Sequence, residues 1–230
     1  MCICRVGRQE IDMLHYLEEL FRALDFGSVQ DALVQTAAVL LCLSVHETSH
    51  GLAAYALGDP TAKARNRLSL NPLRHIDWFG FAMMFFVGFG WAKPVPVDPR
   101  YFKKPKVGMA ITALAGPVSN FLLAILLLLG SKVIYLYAYY NPMTDALYGF
   151  LIQSAVLSLG LGLFNLIPIP PLDGSKVAAV LLPERAYETL MRYERYGILL
   201  LLLLSFGNVG GGFIGRGISV VFNAMVNLIY

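Results

Sequence analysis

With 57% hydrophobic and only 14% charged side chains over 230 residues, and a mean hydropathy of +0.62, the chain lacks the polar surface that a soluble globule needs. Its formal net charge of +3 reports an uneven distribution among loops and not a nucleic-acid partner. The composition predicts an all-α polytopic membrane protein, a bundle of about four to six transmembrane helices at about 20 residues per crossing, without a sizeable soluble domain.

Residues 1–27 do not read as a secretory signal, because Glu10, Asp12, Glu18 and Glu19 interrupt the place of an apolar core. Ile11, Leu14, Leu17, Leu20, Phe21 and Leu24 recur at helical spacing instead, which predicts an amphipathic helix on the membrane surface or against the bundle. His15 on it suits a surface or packed position. Cys2, Cys4 and Cys42 give neither a disulfide framework nor a four-ligand zinc spacing.

The first span follows, with an aliphatic run from Ala32 to Leu43, and it leads into His46-Glu47-Thr48-Ser49-His50. Two imidazoles four residues apart on a helix share one face, and a carboxylate beside the first can reach a water on a metal held between them. This is the pattern of a zinc hydrolase placed in a bilayer.

Lys63, Arg65, Arg67 and Arg74 precede the apolar stretch Trp78 to Trp91, and Lys93, Arg100, Lys103, Lys104 and Lys106 follow it. A crossing would put one basic cluster outside, against the positive-inside tendency, so the stretch is read as re-entrant. Such backbone survives at membrane depth only in protein or beside a wet cavity, which places it next to a site. Gly88, Gly90, Pro94 and Pro96, with Val95 and Val97 between, predict an extended or hairpin conformation.

A long apolar helix from Val107 to about Tyr139 ends outside, and the chain returns through Leu147 to Ile167 to an inner loop with Lys176, Arg185, Arg192 and Arg195. The first span then runs inward, with His46 and His50 toward the cytoplasmic side of the cell membrane. Tyr196 to Phe206 and Phe213 to Tyr230 flank a glycine-rich break and fit either a hairpin of short spans or one span plus a buried segment. The expected organisation is an N-terminal helix over 1–27, a membrane-embedded catalytic core over 28–195, and C-terminal hydrophobic segments over 196–230.

Catalytic zinc takes three protein ligands and keeps a fourth position for water, so a third ligand is needed. His75 and Asp77 lie in a basic loop where a solvated role is expected, Asp59 and Asp98 stand beside prolines in turns, and Asp145 is on the outer side. Asp173 follows Asn165-Leu166-Ile167-Pro168-Ile169-Pro170-Pro171-Leu172 at the depth of the histidines, where prolines must break the helix and free its polar groups. Three blander readings stand beside these: Asp173 as a helix cap, Asn165 as a partner for freed backbone groups, and Gly116-Pro117-Val118-Ser119-Asn120 as small residues packed on a neighbouring helix. Buried ionisable residues would also serve a transporter or a catalytically silent scaffold.

Four motifs in order, His46-Glu47-x-x-His50, Gly90-Trp91-Ala92-Lys93-Pro94-Val95-Pro96-Val97, Ala115-Gly116-Pro117-x-x-Asn120 and Asn165-x-x-Pro168-x-x-x-Leu172-Asp173-Gly174, resemble the site-2 protease family of intramembrane zinc metalloproteases. The likeness covers roughly Val29 to Leu182. It implies His46, His50 and Asp173 as ligands of one Zn2+ per chain, Glu47 as the catalytic glutamate, and Asn165 as the asparagine that handles substrate. Ser175 stands where many members have a second glycine, and no stretch is long or polar enough for a PDZ or CBS domain, as in a minimal-core member.

The chemistry expected of this set is peptide hydrolysis in or near transmembrane segments. With zinc held by two imidazoles and a carboxylate, water gives up a proton near neutral pH, and Glu47 accepts it and later passes it to the leaving amine. Asn165 would hold the substrate backbone or the developing oxyanion. A transmembrane or membrane-tethered protein substrate must unwind first, and the re-entrant strand around Val87 to Val97 would receive it by strand addition. The bilayer is the other partner. Nothing in the sequence sets the oligomeric state or identifies the substrate.

Overall fold

The computed structural model describes residues 29–80, 92–139, 141–183, 185–186, 189 and 211–230. The expected N-terminal helix, residues 81–91 of the stretch expected to be re-entrant and the Tyr196–Phe206 segment lie outside these residues. Among the described residues the structure is helical, with one isolated antiparallel bridge between Ile76 and Ala92 and no strand.

From Ala32 to His50 the sequence has neither proline nor glycine, so nothing interrupts the first helix, α1 (Val29–Ala56). It ends in a Schellman turn, with Gly58 at φ +105°, the Gly58 N–H on the Tyr55 carbonyl and the Asp59 N–H on that of Ala54. Asp59 is fully buried and accepts from the N–H and hydroxyl of Thr61, where the short α2 (Thr61–Ala64) begins. Its other oxygen accepts the Asp98 N–H at 2.7 Å, so one carboxylate ties the end of α1 to the segment leading into the 3-10 turn Pro99–Tyr101. The same segment is anchored at its start by the Lys93 N–H on the His75 carbonyl at 2.9 Å. His75–Ile76 and Ala92–Lys93, which flank the stretch Trp78 to Trp91, therefore meet.

Helix α3 (Pro105–Tyr137) opens on a proline, whose missing N–H is no loss in a first turn, and carries Pro117 in its interior. Helix α4 (Pro142–Asn165) starts at an Asn141/Thr144 capping box with Pro142 next and Asp145 in the first turn, where a negative charge meets the positive end of the helix. Both are long and apolar enough to cross a bilayer. Leu127 and Leu128 of α3, Val156 and Leu159 of α4, and Ile218 and Phe222 of α6 (Gly211–Ile229) form the core, with Ala124 and Ala155 permitting close approach. The far end of α6 is fixed by Lys132, which donates to the Ile229 carbonyl at 2.5 Å, and by a 2.7 Å bond between the hydroxyls of Ser131 and Tyr230. On the opposite face of α3, Leu114, Val118, Leu122, Leu126 and Val133 are exposed at helical spacing, a stripe suited to hydrocarbon.

After Asn165 the prolines at 168, 170 and 171 end α4, with the Pro170–Pro171 peptide cis, and α5 (Asp173–Ala179) starts at once. A Cβ on Gly174 would strike the carbonyl oxygen of Leu166, so glycine lets the start of α5 lie against the end of α4. That close approach sets the position of Asp173.

Candidate metal centre

Helix geometry places His46 and His50 on one face of α1, and the tight start of α5 brings Asp173 to them across 127 residues of sequence. The Nε2 atoms of the two histidines are 3.0 Å apart, and each lies 3.2 Å from Oδ2 of Asp173. A tetrahedral zinc with bonds of about 2.0–2.1 Å separates its ligand atoms by about 3.3 Å, so this near-equilateral triangle matches one face of that tetrahedron. His46 is 4% and Asp173 8% exposed, and the His50 side chain 11%. Two imidazoles and a carboxylate around one point are a donor set that could hold a metal ion, and they suit zinc with a fourth position left for water.

Asp173 makes no capping hydrogen bond to α5, whose N-cap is Leu172; its carboxylate faces the histidines instead. Lys176, one turn along, stands 4.0 Å from Oδ1.

A stripe on α3 supports both imidazoles. His50 Nδ1 is 2.7 Å from the Thr112 carbonyl, which can only accept, so Nδ1 carries the proton and Nε2 keeps its lone pair. Asn120, fully buried, places its side-chain amide 3.3 Å from Nδ1 of His46. Between them lies Gly116, where a Cβ would come within 2.5 Å of His50 Cε1 and Nε2 and 2.6 Å of His46 Cε1. Thr112, Gly116 and Asn120 are spaced i, i+4, i+8 on one face. The Gly116–Asn120 motif does pack on α4, since a Cβ at Gly162 would meet the Pro117 carbonyl at 3.3 Å. Sequence reasoning stopped at that packing role and missed the contact with the histidines. The signal available was the four-residue spacing of polar and small residues in an otherwise aliphatic helix.

Glu47 accepts the Val95 N–H at Oε2, 2.8 Å away. Val95 lies between Pro94 and Pro96, which have no N–H to offer. A cavity of about 300 Å³ is lined by His46, Glu47, Val95, Val97, Asn165 and Asp173 among others. Within it Asn165 donates to the Leu161 carbonyl of its own helix at 3.0 Å, as the reading of a residue satisfying local backbone expects.

The remaining candidates are elsewhere. His75 is a correction to the expected solvated role: it is 3% exposed, with Nε2 2.7 Å from the Ser69 carbonyl and 3.5 Å from the Thr48 hydroxyl, because the loop folds back onto α1. Asp77 accepts the Gly80 N–H and Asp98 that of Arg100, both as local caps. Cys42 is buried and its thiol donates to the Ser154 carbonyl at 3.5 Å.

Comparison with known proteins falls on the same region. Residues 131–205, which include Asn165 and Asp173, match Peptidase family M50. The chain is 39% identical over 171 residues to "Putative zinc metalloprotease YwhC" of Bacillus subtilis (strain 168), covering 72% of this chain and 77% of that protein. It is 28% identical over 172 residues to "Putative zinc metalloprotease Rip2" of Mycobacterium tuberculosis (strain ATCC 25618 / H37Rv), covering 73% and 64% respectively. No solved structure gives a significant match. A histidine pair and an aspartate meeting at one point between apolar helices, together with these likenesses, place the chain in Peptidase family M50, the membrane-embedded site-2 protease family.

Proposed function

We propose that the protein is an intramembrane zinc endopeptidase that hydrolyses peptide bonds in or near transmembrane segments of membrane proteins, in regulated intramembrane proteolysis. The observation that carries this reading is the triangle of His46, His50 and Asp173 with Glu47 beside it on one cavity. His46, His50 and Asp173 hold one zinc per chain. When bound, zinc supplies Lewis acidity, which makes water acidic enough to furnish a nucleophile near neutral pH and polarises the scissile carbonyl. Glu47 accepts the water's proton at its carboxylate and later delivers it to the leaving nitrogen. The Val95 amide restrains that carboxylate through the transfer.

The substrate must present an unwound segment, and the extended run Pro94–Val97 supports docking by strand addition. Its prolines have no N–H, and the amides of Val95 and Asp98 are taken by Glu47 and Asp59. Val97, which lines the cavity, has no hydrogen-bond partner for its amide among the described residues, so its N–H is the donor left for a substrate carbonyl. Asn165 lines the same cavity and is assigned to the substrate backbone or the developing oxyanion.

The core over 28–195 spans the cell membrane several times, within a total of about four to six helices. The basic residues beside the site orient it to the cytoplasm. Purified protein in liposomes with a single-span substrate tests the reading: cleavage should stop with a zinc chelator and return on adding zinc. Ion transport unaffected by the chelator, without cleavage, would replace it with a transporter.

A further inference from the structure

We propose that Asn120 is the positioning residue for His46, holding its imidazole through a bond from Nδ1–H to the Asn120 side-chain oxygen. This rests on His46 being a metal ligand. Coordination through Nε2, the atom that faces His50 and Asp173, requires the ring proton to sit on Nδ1. Nδ1 then needs an acceptor. The amide of Asn120 is the group at that nitrogen, 3.3 Å away, with its NH2 end drawn toward the ring. An NH2 donating there requires the opposite tautomer, with the proton on Nε2, where it would block the metal.

The Asn120 oxygen is buried and has no partner, so turning the amide by half a turn gives up no bond held by Oδ1. The two ends of an amide are nearly the same size, and hydrogen bonding decides which faces the ring. In the turned state Asn120 does for His46 what the Thr112 carbonyl does for His50. Both acceptors come from one face of α3, on either side of Gly116, so a single helix sets the tautomers of two ligands contributed by another. Ser158 donates to the Asn120 backbone carbonyl at 2.9 Å and steadies α3 at this point from α4.

The test uses the full chain in detergent, stripped of metal and titrated with zinc against a competing chromogenic chelator, with thermal unfolding of each metal-free variant recorded in parallel. Asn120→Leu, which removes the acceptor, should weaken zinc about 10–100-fold. Asn120→Asp, which has acceptors only, should bind zinc within about threefold of the unmodified chain or more tightly. The aspartate arm stands alone if leucine prevents folding. Zinc affinity unchanged in Asn120→Leu, or lost in a folded Asn120→Asp, would overturn the proposal while leaving the zinc site itself intact. Failure of the unmodified chain to bind zinc would instead remove the site on which it rests.

Discussion

The backbone N–H of Val95 donates to Oε2 of Glu47 at 2.8 Å, from a residue with proline on both sides. The proton transfer proposed for Glu47 needs one defined orientation of its carboxylate, and this bond supplies it from a segment fixed at both ends by the His75 carbonyl and Asp59. A hydrogen bond to a charged group contributes about 1.5–3 kcal/mol, which is about 10–100-fold in rate. Val95→Pro should therefore lower kcat by that factor while zinc content, measured by elemental analysis, stays at the unmodified level.

Gly116 has no room for a side chain. Since a Cβ there would stand 2.5 Å from His50 and 2.6 Å from His46, Gly116→Ala should push both imidazoles off the triangle. Zinc affinity should fall by at least about tenfold in chelator competition, the scale on which disturbed supporting contacts act.

Asp173→Ala leaves two imidazoles where three ligands are needed. Zinc affinity should drop by more than about 100-fold, and cleavage with it. Unchanged metal content would remove Asp173 from the site.

Gly174→Ala tests how Asp173 is delivered. The new methyl meets the Leu166 carbonyl, a backbone atom that cannot rotate away, so thermal unfolding should show a loss of about 1–3 kcal/mol. An unaffected melting temperature would mean that the junction of α4 and α5 is looser than the contact implies.

The sequence made legible whatever periodicity or chain breaking controls. His46 and His50 share a face because of helical spacing, and the proline-rich break after Asn165 points to Asp173 because a helix cannot continue through it. Contacts that depend on how helices meet left weaker traces. Asn120 looks like a packing residue until α3 is laid against α1, and a backbone amide such as that of Val95 has no residue type to announce it. The basic residues around His75 suggest solvent, whereas its burial beside Thr48 and Ser69 follows from the fold of the loop.

In the proposed zinc-dependent cleavage, Glu47 carries the proton. Glu47→Gln keeps the shape and an oxygen for the Val95 amide but cannot accept the water's proton. Purified in parallel with the unmodified chain and given a single-span substrate, this variant should hold one zinc and cleave at least about 100-fold more slowly. A zinc-loaded Glu47→Gln protein that cleaves at the unmodified rate would contradict the account.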